Sequence, residues 1–99
     1  MLFAVTYTGR GDSTEESEKR ILQLYANWNR PAGYEEKAHY GFSDGSGGLA
    51  MVEASSAAAL YEGLSVWAPY FEFNAVPVVE ISEAVGLLQR VYGWRDSVK

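Results

Sequence analysis

Histidine occurs once in the 99 residues, at His39. Its unperturbed charge switches near neutral pH, which makes it the first candidate for proton transfer. Cysteine is absent, which removes thiolate nucleophiles, thiolate metal sites and disulfides together. Glu36-x-x-His39 has the spacing of a di-iron ligand pair on a helix, but on a strand that separation sends the two side chains to opposite faces. Glu35, Glu36, Asp44 and Glu53 are not spaced as a calcium loop, so no metal is expected. Gly41-Phe42-Ser43-Asp44-Gly45 fits the G-x-S-x-G of a nucleophile elbow. Glycines and then a strand follow it, and the histidine precedes the serine, so the segment is read as a hairpin turn. Gly9-Arg10-Gly11 has Thr14 where a phosphate loop has its third glycine, and Asp12, Glu15 and Glu16 would oppose an anion while suiting the positive end of a helix. Arg10-Gly11-Asp12 is treated as a chance match to an adhesion tripeptide, since Met1 to Tyr7 lacks the basic n-region of a secretion signal.

The elements that must position these groups follow from periodicity. Leu2 to Thr8 is rich in β-branched and aromatic residues and stops at a Gly-rich turn, which predicts a first strand. Ser13 and Glu16 have capping-box spacing. Ile21, Leu24, Tyr25 and Trp28 then form the apolar stripe of a helix that Pro31 and Gly33 end near Asn29. Tyr34–Ser43 and Leu49–Ala54 are predicted strands joined by the turn at Asp44–Gly48. Ala57, Leu60, Tyr61, Leu64 and Trp67 mark a second helix within Ser55–Ala68. A fourth strand spans about Tyr70 to Glu80, placed at an edge or bulged because Pro77 lacks a ladder donor. A third helix runs from Ser82 to about Tyr92, with Trp94 to Lys99 as a frayed tail. The hairpin, centred near Gly45 and Ser46, is expected to set His39 beside Val52 and Tyr40 beside Met51.

This order, βαβ–βαβ–α with right-handed crossovers, predicts an α+β, ferredoxin-like βαββαβ fold with a four-stranded antiparallel sheet plus a C-terminal helix. Both crossover helices then lie on one face of the sheet. Leu2, Ala4, Leu49 and Met51 make the other face apolar as well, so a second copy or the third helix is expected to cover it.

Composition narrows the function classes. Hydrophobic residues are 47% and charged residues 21% of the chain, a balance that supports a globular core. A net charge of −5 with no Lys/Arg run opposes binding to a phosphate backbone, so nucleic acid is not an expected partner. No stretch approaches the ~20 apolar residues of a membrane span, and the lack of cysteine fits a reducing, cytoplasmic setting.

The segments MLFAVTYT, AHYGF with His39, GGLAMVEASSAAALYEGLSVWAPYFEF and PVVEI resemble a family of short bacterial domains of unknown function. That family belongs to the dimeric α+β barrel superfamily, in which two ferredoxin-like sheets pack face to face. The resemblance implies one barrel domain over residues 1–94 with a tail at 95–99, a homodimer, and a pocket between sheet and helices. The family carries an aromatic at position 38, where this chain has Ala38. The superfamily is similar in shape across cofactor-independent monooxygenases, lactone isomerases, haem-degrading enzymes, dehalogenating or dehydrating enzymes and plain ligand-binding modules; no cofactor is expected for this chain.

Aromatic residues make up 14% of the chain, and Tyr25, Trp28, Tyr61 and Trp67 fall on inward helix stripes, where they fill a core. A subset can also wall a pocket: Tyr7, Trp28 and Trp67 as ligand-binding residues, with His39 as the catalytic candidate, would suit a flat apolar or aromatic metabolite. The reading is a homodimeric binding or scaffold module, with a cofactor-independent enzyme of monooxygenase or isomerase type using His39 as the alternative. A cavity and a second polar group beside His39 would favour the enzyme.

Overall fold

The computed structural model describes residues 1–11 and 13–99. Asp12, read above as a partner of the helix dipole, lies outside the described residues. The chain runs β1 (Leu2–Gly9), α1 (Glu15–Ala26), β2 (Tyr34–Gly41), β3 (Gly47–Ala54), α2 (Ala57–Ser65), β4 (Phe71–Pro77) and α3 (Ile81–Ser97). The strands form one antiparallel sheet in the order β2-β3-β1-β4, the ferredoxin-like arrangement expected from the element order. β4 is an edge strand and Pro77 is its last residue, so the missing donor costs no interior ladder bond.

Helix α1 starts one residue later than the capping motif predicted. Thr14 is the N-cap, its hydroxyl accepts from Ser17 N and Ser17 Oγ accepts from Thr14 N, both at 3.0 Å. Ser17 thus performs the reciprocal role assigned to Glu16. Ser56 caps α2 by accepting from Ala59 N at 3.1 Å. Helix α2 ends at Ser65, short of Ala68. Helix α3 continues through Ser97, so residues 94–97, expected in a frayed tail, are helical.

The β2–β3 hairpin differs from the expected register. His39 pairs with Ala50 and Tyr40 with Leu49. The turn centres one residue earlier because the Asp44 carboxylate accepts from Ser46 N at 2.9 Å and Ser46 Oγ at 2.7 Å, with Gly45 at φ +76°. A displacement of two in pairing keeps every side chain on its expected face. Beyond Ala38 the ladder shifts again: Glu36 pairs with Val52 and Ala38 with Met51, leaving Lys37 as the extra residue of a β-bulge.

The core lies under the helix face of the sheet, where Val5, Tyr34, Ala50 and Val52 are buried and Phe3, Trp28, Leu60, Leu64, Phe73 and Ala75 pack on them. Trp67 and Gly63 are buried where α2 meets the sheet, and a β-carbon on Gly63 would overlap the Tyr34 ring. Tyr61, assigned to the core by its spacing, is 78% exposed, because α2 buries the side that carries Ala59 and Gly63, and a residue two positions from each stands on the opposite side of the helix. Helix α1 has no buried residue; it stands over the sheet with a cavity beneath it.

Val52 is fully buried at the centre of this layer. Val52→Ala is expected to lower unfolding stability by about 2 kcal/mol in urea titration, whereas Tyr61→Ala should change it by less than about 0.5 kcal/mol.

Candidate functional site

The cavity between α1 and the sheet has a volume of about 410 Å³. Strands β1, β2, β3 and β4 supply its floor through Val5, Tyr7, Glu36, His39, Ala50, Phe71 and Phe73, and the two crossover helices with the segments that follow each supply its roof through Ile21, Leu22, Tyr25, Trp28, Leu64 and Trp67. Most of that surface is aromatic or aliphatic. Trp28 and Trp67 meet edge to face at 5.3 Å between centroids, and Tyr7 meets Phe71 the same way at 5.0 Å. All three residues read as ligand contacts, Tyr7, Trp28 and Trp67, therefore line one cavity together with His39.

The polar groups converge at one end. Glu36 and His39 point into the cavity together, although their odd spacing had placed them on opposite faces. The bulge at Lys37 adds one residue to the strand and so restores a common face. His39 Nδ1 lies 2.6 Å from Glu36 Oε1. A carboxylate cannot donate, so Nδ1 carries the proton and Nε2 is left with its lone pair. Tyr7 Oη sits 2.5 Å from Nε2 and donates to it. The chain of bonds is therefore Tyr7 O–H to Nε2, then Nδ1–H to Glu36.

Glycine at position 48 makes this reach possible. Tyr7 pairs with Gly48 across β1 and β3, and a β-carbon on Gly48 would collide with the Tyr7 hydroxyl. The bare backbone lets the phenol lie across β3 to reach a histidine on β2.

Glu36 accepts from more than the imidazole. Arg30 Nη2 donates to Oε2 at 2.8 Å, and Tyr25 Oη is 3.3 Å from Oε2 and 3.3 Å from His39 Nδ1. The Arg30 guanidinium also lies 4.5 Å from the centroid of Trp28 and 5.2 Å from that of Tyr25, so two rings fix its plane while it compensates the carboxylate. The hydrogen bond to Glu36 raises the pKa of Arg30, which keeps its charge permanent. Burial, with the neighbouring Tyr25 and Glu36 charges, raises that of the Tyr7 phenol. Burial followed by the Glu36 charge does the same at Tyr25. Both hydroxyls stay protonated and act as donors. Trp28 Nε1 is buried without a hydrogen-bond partner, a cost of about 1–3 kcal/mol.

Arg30 and Gly48 carry no motif that a sequence reading could seize. Glu36 had one, the spacing to His39, which the strict two-residue period of a strand discarded. Tyr25 is a pocket wall, 39% exposed, where its stripe position had placed it in the core. Among the described residues, no group of three His, Asp or Glu side chains is arranged to hold a metal ion.

Residues 1–92 match a domain of unknown function, DUF3303. The chain belongs to that family. A search of curated proteins finds no match. No helix of the described residues is long and apolar enough to cross a membrane.

The buried phenols predict an alkaline limit to stability. Tyr34 is pushed up to about 12 by burial, with the Glu36 charge adding. A pKa raised by folding leaves stability intact below the ordinary tyrosine value of 10.0 and erodes it between there and about 12, as the unfolded chain ionises first. The urea midpoint should fall across that interval, and Tyr34→Phe should flatten the fall; an equally steep loss in the variant would assign it elsewhere.

Proposed function

We propose that the protein binds a small, flat, largely apolar molecule in this cavity and moves a proton on it, with His39 as base and Tyr7 as the relay that touches the ligand. The observation that carries this reading is the continuous Tyr7–His39–Glu36 hydrogen-bond chain at one end of an aromatic cavity. A binding or scaffold module needs only the apolar walls. The relay favours chemistry, because a single base with an oriented tautomer and a hydroxyl at its basic nitrogen is the equipment of general acid–base catalysis.

A ligand O–H donates to Tyr7 Oη while the Tyr7 proton passes to His39 Nε2. The phenol is thereby protonated at every stage, in keeping with its raised pKa. The imidazolium that forms has its second N–H on Glu36, whose charge the Arg30 ion pair and the Tyr25 hydroxyl hold in place. Return of the proton to a carbon of the ligand completes an enol-to-ketone shift in which atoms and charge balance with no co-reactant. Of the two enzyme types, the proton-shifting isomerase is therefore preferred to an oxygenase. The aromatic walls suit a conjugated ring that spreads the transient negative charge.

A second part of the proposal is a homodimer. The face of the sheet away from α1 and α2 presents Leu2, Ala4, Leu49 and Met51, all only partly covered. The accessible surface is 7330 Å², against about 5600 Å² for a compact monomer of this mass.

Exchange of α-hydrogens of enolisable aryl ketones into D2O, followed by NMR, tests the chemistry, and quenching of Trp28 and Trp67 fluorescence tests binding. Wild type should accelerate exchange of at least one ketone about 10²-fold or more over His39→Gln, while both proteins show quenching. Quenching without any difference in exchange would leave a binding module and reject the enzyme.

A further inference from the structure

Helix α3 is the most exposed element of the chain. None of its 17 residues is buried. Its sequence is nonetheless amphipathic: Leu87, Val91 and Trp94 run into Ile81, Leu88 and Tyr92 as one apolar arc covering about half the circumference at 100° per residue. These side chains are 41–80% exposed. The polar arc holds Ser82, Gly86, Gln89, Arg90 and Asp96. A helix that keeps so wide an apolar arc in water lacks its partner.

The helix does not fold back on its own sheet. The β1–β4 ladder continues to Val78, whose N–H donates to Leu2 O at 3.0 Å, and only Val79 and Glu80 separate that bond from the first turn of α3. The chain spans 63 Å on its longest axis and 18 Å on its shortest. The short dimension accommodates the sheet and one helix layer, and α3, roughly 26 Å long, extends outward. The radius of gyration is 17.9 Å, against about 13 Å for a folded domain of this length.

One chain thus leaves two apolar faces unpartnered: the outer side of its sheet and the arc of α3. Neither can satisfy the other within the molecule as it stands. We infer that α3 is an exchanged arm: in the homodimer proposed above, on which this inference rests, each α3 lies across the outer sheet face of the other copy. A two-fold pairing of that kind covers both faces of both chains at once, because the contact is made twice. The area agrees. The surface in excess of a compact monomer is roughly 1700 Å² per chain, above the roughly 800 Å² that a stable interface takes from each partner.

The chain contains no cysteine, so single cysteines report contact without background. Leu88→Cys, at the centre of the arc, and Met51→Cys, at the centre of the outer face, are purified separately, mixed, allowed to re-equilibrate and treated with a short bis-maleimide. Sedimentation equilibrium is run on the untreated wild type. The expected result is a dimer whose covalent product in the mixture is predominantly Leu88→Cys joined to Met51→Cys, at least tenfold above either variant alone. A product from Met51→Cys alone would mean that two sheets pack face to face, and one from Leu88→Cys alone that two arms pair with each other; either overturns the exchange while leaving the homodimer. A dimer that forms no mixed product overturns it too. Sedimentation as a monomer would overturn the homodimer and the exchanged arm together.

Discussion

The pairing of Glu36 with His39 depends on the extra residue that Lys37 inserts into β2. A regular strand would turn the carboxylate to the outer side of the sheet and leave His39 with only the Tyr7 and Tyr25 hydroxyls, which can donate or accept, and so with an undefined tautomer. With the bulge, both side chains enter the cavity. The imidazole is then held at both nitrogens: Nδ1 by an acceptor that cannot donate and Nε2 by a donor. Everything chemical in the site follows from that arrangement. Arg30 and Tyr25 act on Glu36, Tyr7 acts on Nε2, and among the described residues His39 is the basic group that lines the cavity.

The same cavity accounts for the helix above it. Helix α1 has the apolar stripe of a core helix, yet none of its residues is buried. Its stripe faces space as well as side chains, and its contacts to the sheet pass through Trp28 and the rings around it. The stability of the domain rests instead on the three-strand centre around Val5 and Val52 and on α2, where Gly63 lets the helix approach the Tyr34 ring. Core packing thus rests more on α2 than on α1, although Leu64 and Trp67 also line the cavity, and α1 can roof that cavity without unravelling the core.

Much of the architecture was legible because it rests on local patterns. The strand periods, the helix stripes and the Gly-rich turns gave the element order, and the handedness of crossovers turned that order into the sheet observed. Parity was legible as well: the turn shifted the hairpin register by two residues, and since side chains alternate with a period of two, His39 and Tyr40 kept their sides. The errors sit where geometry is set by something other than local pattern. The Asp44 carboxylate moved the turn, the bulge reversed the relation of Glu36 to His39, and the packing of α2 through Ala59 and Gly63 exposed Tyr61.

By itself, the sequence determined the ferredoxin-like order, an apolar sheet on both sides, and the set of residues, His39 with Tyr7, Trp28 and Trp67, from which a pocket could be built. These follow from hydrophobic periodicity, which each segment carries alone. Only the tertiary structure decided that Tyr7 crosses Gly48 to meet His39, that Glu36 and Arg30 complete the chain behind it, and that α3 stands clear of its own sheet. Those are relations between strands and helices far apart in sequence, and they depend on a single added residue, a missing β-carbon and a two-residue connection that leave no periodic trace.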